Sequence, residues 1–139
     1  MLTCRPEVDE ATVSLAQALN VPLKVIDLHE TFEREVVAPF FNAYANGFTP
    51  NPCLACNARL KFGRLREAIA GPMATGHYVR IEPDPQSGEI TLRSGIDPAK
   101  DQSYFLYDIP KEVLQSVHFP LGNMTRENKF WQLNKPYQP

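Results

Sequence analysis

Apolar residues at Val8, Ala11, Leu15, Ala18 and Leu19 recur at three- and four-residue intervals, which predicts an amphipathic helix ended by Asn20 and Pro22. The aliphatic run from Leu23 to Leu28 has the length and content of a mostly buried strand, and helix followed by strand predicts an α/β layer with parallel pairing. Thr31 is placed to cap a second helix with the broad apolar face Phe32, Val36, Val37, Phe40, Phe41 and Tyr44. Pro39 should kink or restart that helix and Gly47 should close it. Phe48 to Pro52 reads as a stiff loop, because Pro50 and Pro52 remove donors and push the residues before them toward extended conformations. A further helix is expected from about Cys56 to Ala70, with Leu60, Leu65, Ala68 and Ile69 inward and Arg59, Lys61, Arg64 and Arg66 largely outward.

Gly71 and Pro72 end that helix, and Met73 to Tyr78 reads as a short strand running into a turn and continued by Val79 to Ile81. The turn cluster Pro83 to Gly88, with Ile90 and Leu92 alternating beyond it, predicts a β-hairpin with a loop longer than two residues. A polar loop, Gly95 to Ser103, leads into the aromatic run Tyr104, Phe105 and Tyr107. Pro110 should open a helix carrying Val113, Leu114 and Val117, and Thr125 should cap a last one carrying Phe130, Trp131 and Leu133. No repeat or low-complexity tract interrupts the pattern, so the chain reads as one continuous piece of fold.

Composition adds bounds to this picture. The 139 residues suit one domain, and 43% hydrophobic with 22% charged residues marks a globular chain. A net charge of −2 gives no overall attraction to nucleic acid, so any RNA contact must come from a local patch. The 13 prolines fall mostly at segment ends and imply much ordered loop. Three cysteines without a charged-then-apolar leader point to a reducing compartment, read here as cytoplasmic, and no apolar run approaches the roughly 20 residues that cross a bilayer.

Three stretches carry chemistry. The segment from Thr49 to Asn57, followed by Lys61-Phe62-Gly63, puts the thiols of Cys53 and Cys56 after a rigid loop at a helix start, where unpaired backbone donors favour thiolate. Such a thiolate attacks sulfur or carbon electrophiles; the alternatives for a CxxC are half of a metal site or a redox pair. A zinc site wants four ligands, and only Cys4, Cys53, Cys56 and three scattered histidines are at hand. A thioredoxin-like pair would directly follow a strand, whereas here a proline-rich loop and a long helix precede it. In Ala74 to Tyr78, Gly76 lets backbone approach a ligand and His77 offers a donor to phosphate or base, or else a structural hydrogen bond. Lys100 to Tyr104 gathers cation, carboxylate, amide, hydroxyl and ring, suited to phosphate and ribose contacts with base stacking, or to a solvated loop in which Asp101 caps a helix.

Taken in order, TPNPCLACN, KFG, ATGHY, GIDPAKDQSYFL and FPLG resemble the tRNA-specific 2-thiouridylases, over about Cys4 to Arg126. The resemblance implies a Rossmann-like α/β fold of the adenine-nucleotide α-hydrolase (PP-loop) group, with residues 1–82 forming the latter part of the nucleotide-binding layer and residues 83–139 the hairpin, a tRNA-contacting loop and short helices. It implies a reaction in which ATP, with Mg2+, adenylates the C2 oxygen of the wobble uridine and a persulfide sulfur on an enzyme cysteine displaces AMP. By position Cys56 matches the sulfur-bearing cysteine, Asn51, Pro52 and Cys53 the loop meeting the target base, Gly76 a nucleotide contact, His77 a tRNA contact, and Lys100, Asp101 and Gln102 the segment touching tRNA. Its implied partners are tRNA and a sulfur-relay protein.

The sequence also departs from the family. Many members carry aspartate where Cys53 stands, and the cysteine form is associated with an iron–sulfur cluster that would use Cys53 and Cys56 as ligands. No SGGxDS-type loop to cradle ATP phosphates occurs in the chain, and the family's second catalytic cysteine would lie downstream. The expectation is therefore an enzyme fragment inactive alone, its missing loop supplied by a separate polypeptide if supplied at all. The rival readings are a stand-alone iron–sulfur or zinc module built on Cys4, Cys53 and Cys56, and a catalytically inactive remnant gripping tRNA through Arg59, Lys61, Arg64, Arg66 and Lys100.

Overall fold

The structure, a computed structural model, describes residues 8–127. Its first helix, α1 (Glu10–Ala18), is capped by Asp9, whose carboxylate accepts from the Thr12 amide at 2.7 Å, and it ends on Asn20 in the left-handed region. The strand expected over Leu23 to Leu28 is not formed. That stretch has no ladder, and Leu23 and Val25 are 45% and 65% exposed. An aliphatic run becomes a buried strand only where neighbouring strands flank it, and none does among the described residues.

The second helical run joins α2 (His29–Phe32), a wide π segment (Glu33–Val37) and α3 (Ala38–Ala45). It begins two residues before the expected cap Thr31, because the Asp27 carboxylate already accepts from the His29 amide at 2.8 Å. Pro39 has no N–H for the Glu35 carbonyl four residues back; the preceding turn widens, and the Arg59 guanidinium donates to that carbonyl at 3.3 Å. Gly47, at φ +81°, closes the run as expected, with its amide on the Tyr44 carbonyl and that of Phe48 on Ala43.

The third run joins α4 (Pro52–Ala55), a long π segment (Cys56–Leu65) and α5 (Arg66–Ile69). It starts one turn earlier than the apolar pattern indicated: Asn51 is the cap, accepting from the Cys53 amide at 3.0 Å, and Pro52 supplies a first helical residue needing no donor. The wide turns change which residues face inward. Asn57 with Phe62, and Leu60 with Leu65, are buried at a spacing of five, while Ala68 and Ile69, expected inside, are exposed. Gly63 belongs to this geometry, since a Cβ there would meet the Ala58 carbonyl oxygen, five residues back, at 3.1 Å. Ala70, at φ +50°, ends the run ahead of Gly71 and Pro72.

Two small sheets complete the fold. Strand β1 (Met73–Ala74) pairs in parallel with β4 (Val117–His118), and β2 (Val79–Pro83) pairs antiparallel with β3 (Ile90–Ser94) in the expected hairpin. The Asp84 carboxylate organises the hairpin loop by accepting from the Gln86 and Ser87 amides. A 3₁₀ turn (Ser103–Leu106) and helix α6 (Lys111–Gln115), opened by Pro110, pack over the strands. The core is Phe62, Met73, Val79, Leu106, Ile109, Leu114 and Val117. Val79 and Leu106 are fully buried, each contributing about 2 kcal/mol of transfer free energy. Residues 126–127 are helical, and Phe130, Trp131 and Leu133, expected on a last helix, lie outside the described residues.

Candidate sulfur and nucleic-acid site

Two prolines and the Asn51 cap fix the approach to the cysteines, leaving Cys53 exposed in the first turn and Cys56 half-buried one turn further in. The sequence reading set both thiols beside unpaired helix-start amides. The structure separates them: the Cys53 amide is taken by the Asn51 side chain, and the Cys56 amide already bonds the Pro52 carbonyl.

Asn57 connects this helix to the rest of the site. It is only 4% exposed, its Nδ2 donates to the Phe105 carbonyl at 3.1 Å, and its Oδ1 has no hydrogen-bond partner among the described residues. This bond ties the residue next to Cys56 to the 3₁₀ turn that follows Lys100, Asp101 and Gln102.

The same loop folds against the strand carrying Gly76. Gln102 brackets Tyr78 from both sides, its Oε1 accepting from the Tyr78 amide at 3.0 Å and its own amide donating to the Tyr78 carbonyl at 3.3 Å. A shallow recess results, lined by Gly76, Tyr78, Ala99, Lys100, Asp101 and Gln102. Four residues singled out from sequence, Gly76, Lys100, Asp101 and Gln102, thus share one surface.

Their roles are unequal. Asp101 accepts from the Gly95 amide at 3.2 Å, the Ser103 amide at 3.1 Å and the Ser103 hydroxyl at 2.8 Å, so its carboxylate is spent on shaping the loop. Desolvation opposes its ionisation, but these bonds from Ser103 and Gly95 outweigh it and hold its pKa below the usual carboxylate value. His77 is 8% exposed, its ring 5.6 Å from that of Phe62 and its Nδ1 paired with the Thr75 hydroxyl at 2.8 Å. Burial first, and then the positive charge of Lys61, lower its pKa from 6.5 to about 4, so it is neutral at physiological pH and offers dipoles rather than charge. Of the four cations on the third helical run, Arg59 serves the Glu35 carbonyl, Arg64 pairs with Glu67 at 3.2 Å and Arg66 donates to the Ser116 hydroxyl at 3.1 Å.

Several positions beyond the sequence reading hold the recess in place. Asp97, 9% exposed, accepts from the Ala99 amide at 3.0 Å and from the Arg126 amide at 2.9 Å. A Cβ on Gly95 would stand 2.7 Å from the Tyr78 carbonyl oxygen, and one on Gly122 would collide with that of Val79. The signals in sequence were slight: single glycines after a strand and in FPLG, and one asparagine next to a cysteine.

The description "tRNA methyl transferase HUP domain" matches residues 2–131. The chain belongs to the tRNA methyl transferase HUP domain family. The α/β class read from sequence agrees with the parallel pair, the hairpin and the helices of this HUP domain. Relatives of the HUP domain chain carry the name tRNA-specific 2-thiouridylase MnmA. That of Nitratidesulfovibrio vulgaris (strain DSM 19637 / Miyazaki F) is 48% identical over 126 residues, covering 88% of this chain and 36% of the relative. Those of Lawsonia intracellularis (47% over 121 residues; 84% and 34%) and Syntrophomonas wolfei subsp. wolfei (42% over 131; 91% and 39%) are similar in the same way. The HUP domain chain thus spans about a third of the length of the curated relatives it matches.

No cluster of three or more His, Cys, Asp or Glu side chains able to hold a metal ion occurs among the described residues. Cys53 and Cys56 alone make two donors, and Cys4 lies outside the described residues, so the described part of the chain does not fit an iron–sulfur or zinc centre. For ATP, the contact expected at Gly76 falls in the recess, and no glycine-rich phosphate cradle accompanies it in the sequence. No helix of the described residues is long and apolar enough to cross a membrane.

Proposed function

We propose that the chain contributes the sulfur-bearing and tRNA-facing portion of a tRNA-uridine 2-sulfurtransferase. The relatives' name motivates the substrate, and one observation carries the reading: the Asn57 to Phe105 hydrogen bond couples the cysteine helix to the loop that builds the recess. In this reading the Cys56 thiolate attacks the outer sulfur of a donor persulfide, forming a new S–S bond while the donor leaves as thiolate, so that Cys56 becomes a persulfide. That outer sulfur then attacks C2 of a uridine whose oxygen has been activated as an adenylate, AMP carries the oxygen away, and a second thiol of the complete protein attacks the Cys56 sulfur, so that the S–S bond breaks, the sulfur stays on C2 and an enzyme disulfide is left. Activation by ATP belongs to the complete protein; this chain's part is to hold the sulfur, keep the loop Asn51-Pro52-Cys53 against the target base, and receive tRNA backbone at Lys100 and Gln102. Asp101 shapes the loop, and His77, neutral and packed on Phe62, braces the strand behind the recess. A sulfur-relay protein is the donor's natural class, and the cytoplasm its compartment.

The test is sulfur loading followed by RNA binding. Exposed to a low-molecular-weight persulfide, the chain should gain one sulfur atom on Cys56 by mass spectrometry, Cys56→Ser should gain none there, and Lys100→Gln should weaken tRNA binding while leaving loading intact. Loading confined to Cys53, or tRNA affinity indifferent to Lys100, would sink this reading.

A further inference from the structure

Tyr104 and Tyr107 lie three residues apart on the turn Ser103–Leu106 and its immediate end, and three residues make one turn of a 3₁₀ helix. Their rings therefore emerge on the same side, with centroids 5.8 Å apart and planes 47° apart. Both are left in water, at 60% and 62% exposure, although Leu106, one of the two residues between them, is fully buried and holds the turn in the core. The turn is stiff: the Asp101 carboxylate anchors its first residue through Ser103, the Asn57 amide holds the Phe105 carbonyl, and the Phe105 ring meets the edge of Tyr104 at 5.6 Å. Directly ahead of it in the chain, Lys100 and Gln102 line the recess.

A rigid pair of exposed aromatic faces beside a cation is the arrangement that takes an unpaired nucleobase, stacking its π-face while the adjoining phosphate meets the ammonium group. We infer that Tyr104 and Tyr107 form a stacking platform for an unstacked base of the RNA substrate, fixing where the single-stranded region lies relative to the sulfur. This rests on the proposed tRNA reading and adds the element that selects unpaired RNA. Chains of net charge −2 gain little from general attraction, so ring contacts carry weight beside a single lysine.

The test uses the full chain and an unmodified tRNA transcript over a range of salt. Tyr104→Ala and Tyr107→Ala should each weaken binding roughly tenfold, a typical loss for one stacked base, with the slope of log affinity against log salt unchanged. Tyr104→Phe should keep near-normal affinity and Tyr104→Leu should not, since the face and not the hydroxyl or bulk is needed. Lys100→Gln should instead lower the salt slope by about one phosphate's worth. A short single-stranded RNA should compete, and an RNA duplex of equal charge should compete poorly. If both alanine variants bind as the parent while Lys100→Gln is impaired, the platform is wrong and the tRNA reading survives. If the parent binds no tRNA at all, both fall. Both tyrosines are exposed, so circular dichroism of the variants should match the parent.

Discussion

At position 57 a buried carboxamide is half satisfied: Nδ2 holds the Phe105 carbonyl, and Oδ1 finds no partner among the described residues. Asn57→Ala removes both the bond and the orphaned oxygen but strands the Phe105 carbonyl, so a loss of about 1–2 kcal/mol is expected in urea unfolding. Asn57→Asp should cost more at neutral pH, because a buried carboxylate would face a carbonyl oxygen; an aspartate variant as stable as the alanine one would contradict this placement. His77 carries the pH dependence. Its folded pKa of about 4 is below the unfolded 6.5, so as pH falls through that window the unfolded chain takes up a proton the folded chain refuses. Stability is thus fully present above 6.5 and is lost as pH drops toward 4. His77→Gln should flatten the urea midpoint across that window, and an unchanged pH profile would show the ring to be accessible. Asp101, shifted downward, acts only below its ordinary carboxylate range and leaves the window to His77.

Among elements, the hairpin and the segment after it are joined by backbone packed on backbone. Gly122 lies where any Cβ would overlap the Val79 carbonyl, and the Gly122 carbonyl accepts from the Ile96 amide at 3.0 Å, so no side chain there can give way. Gly122→Ala should destabilise by at least about 3 kcal/mol, the upper end of overpacking, and should lower the thermal midpoint more than Gly76→Ala, whose Cβ would meet only the Leu121 side chain at 3.8 Å. Equal midpoints for the two variants would refute the close approach. Such contacts explain the limits of reading from sequence. α1 and the hairpin were legible because apolar spacing and the Pro83 to Gly88 turn cluster are local signals. Of the site residues named from sequence, Gly76, Lys100 and Gln102 meet at one recess, a proximity that their motifs do not encode. The strand over Leu23 to Leu28 was misread because burial of an aliphatic run depends on neighbours the run cannot specify. The inward face after Cys56 was misjudged because a 3.6-residue period was applied to turns that bond five residues back, where the pairs Asn57 with Phe62 and Leu60 with Leu65 mark the true spacing.

Across the whole molecule, stability is unevenly placed. Every residue of the core cluster lies between Phe62 and Val117, and α1 contains no buried residue at all. Leu15, Leu19 and Val21 are 59%, 62% and 52% exposed, and the Lys24 ammonium group reaches the rest of the fold through a solvent-exposed bond to the Ala68 carbonyl at 3.3 Å. An isolated helix of nine residues is marginal in water, so with so little tertiary contact α1 should open at a free energy far below that of global unfolding. The hairpin and the Cys56–Leu65 segment, which enclose Val79 and Phe62, should open only with the whole core. Amide hydrogen exchange therefore should find α1 amides exchanging orders of magnitude faster than those of β2 and β3, and adding tRNA should slow exchange in the turn at Ser103–Leu106 and around Lys100 without protecting α1. Protection of α1 equal to that of the hairpin would mean that the apolar face from Leu15 to Val25 is covered after all, and would move the stable unit of the chain toward its first thirty residues.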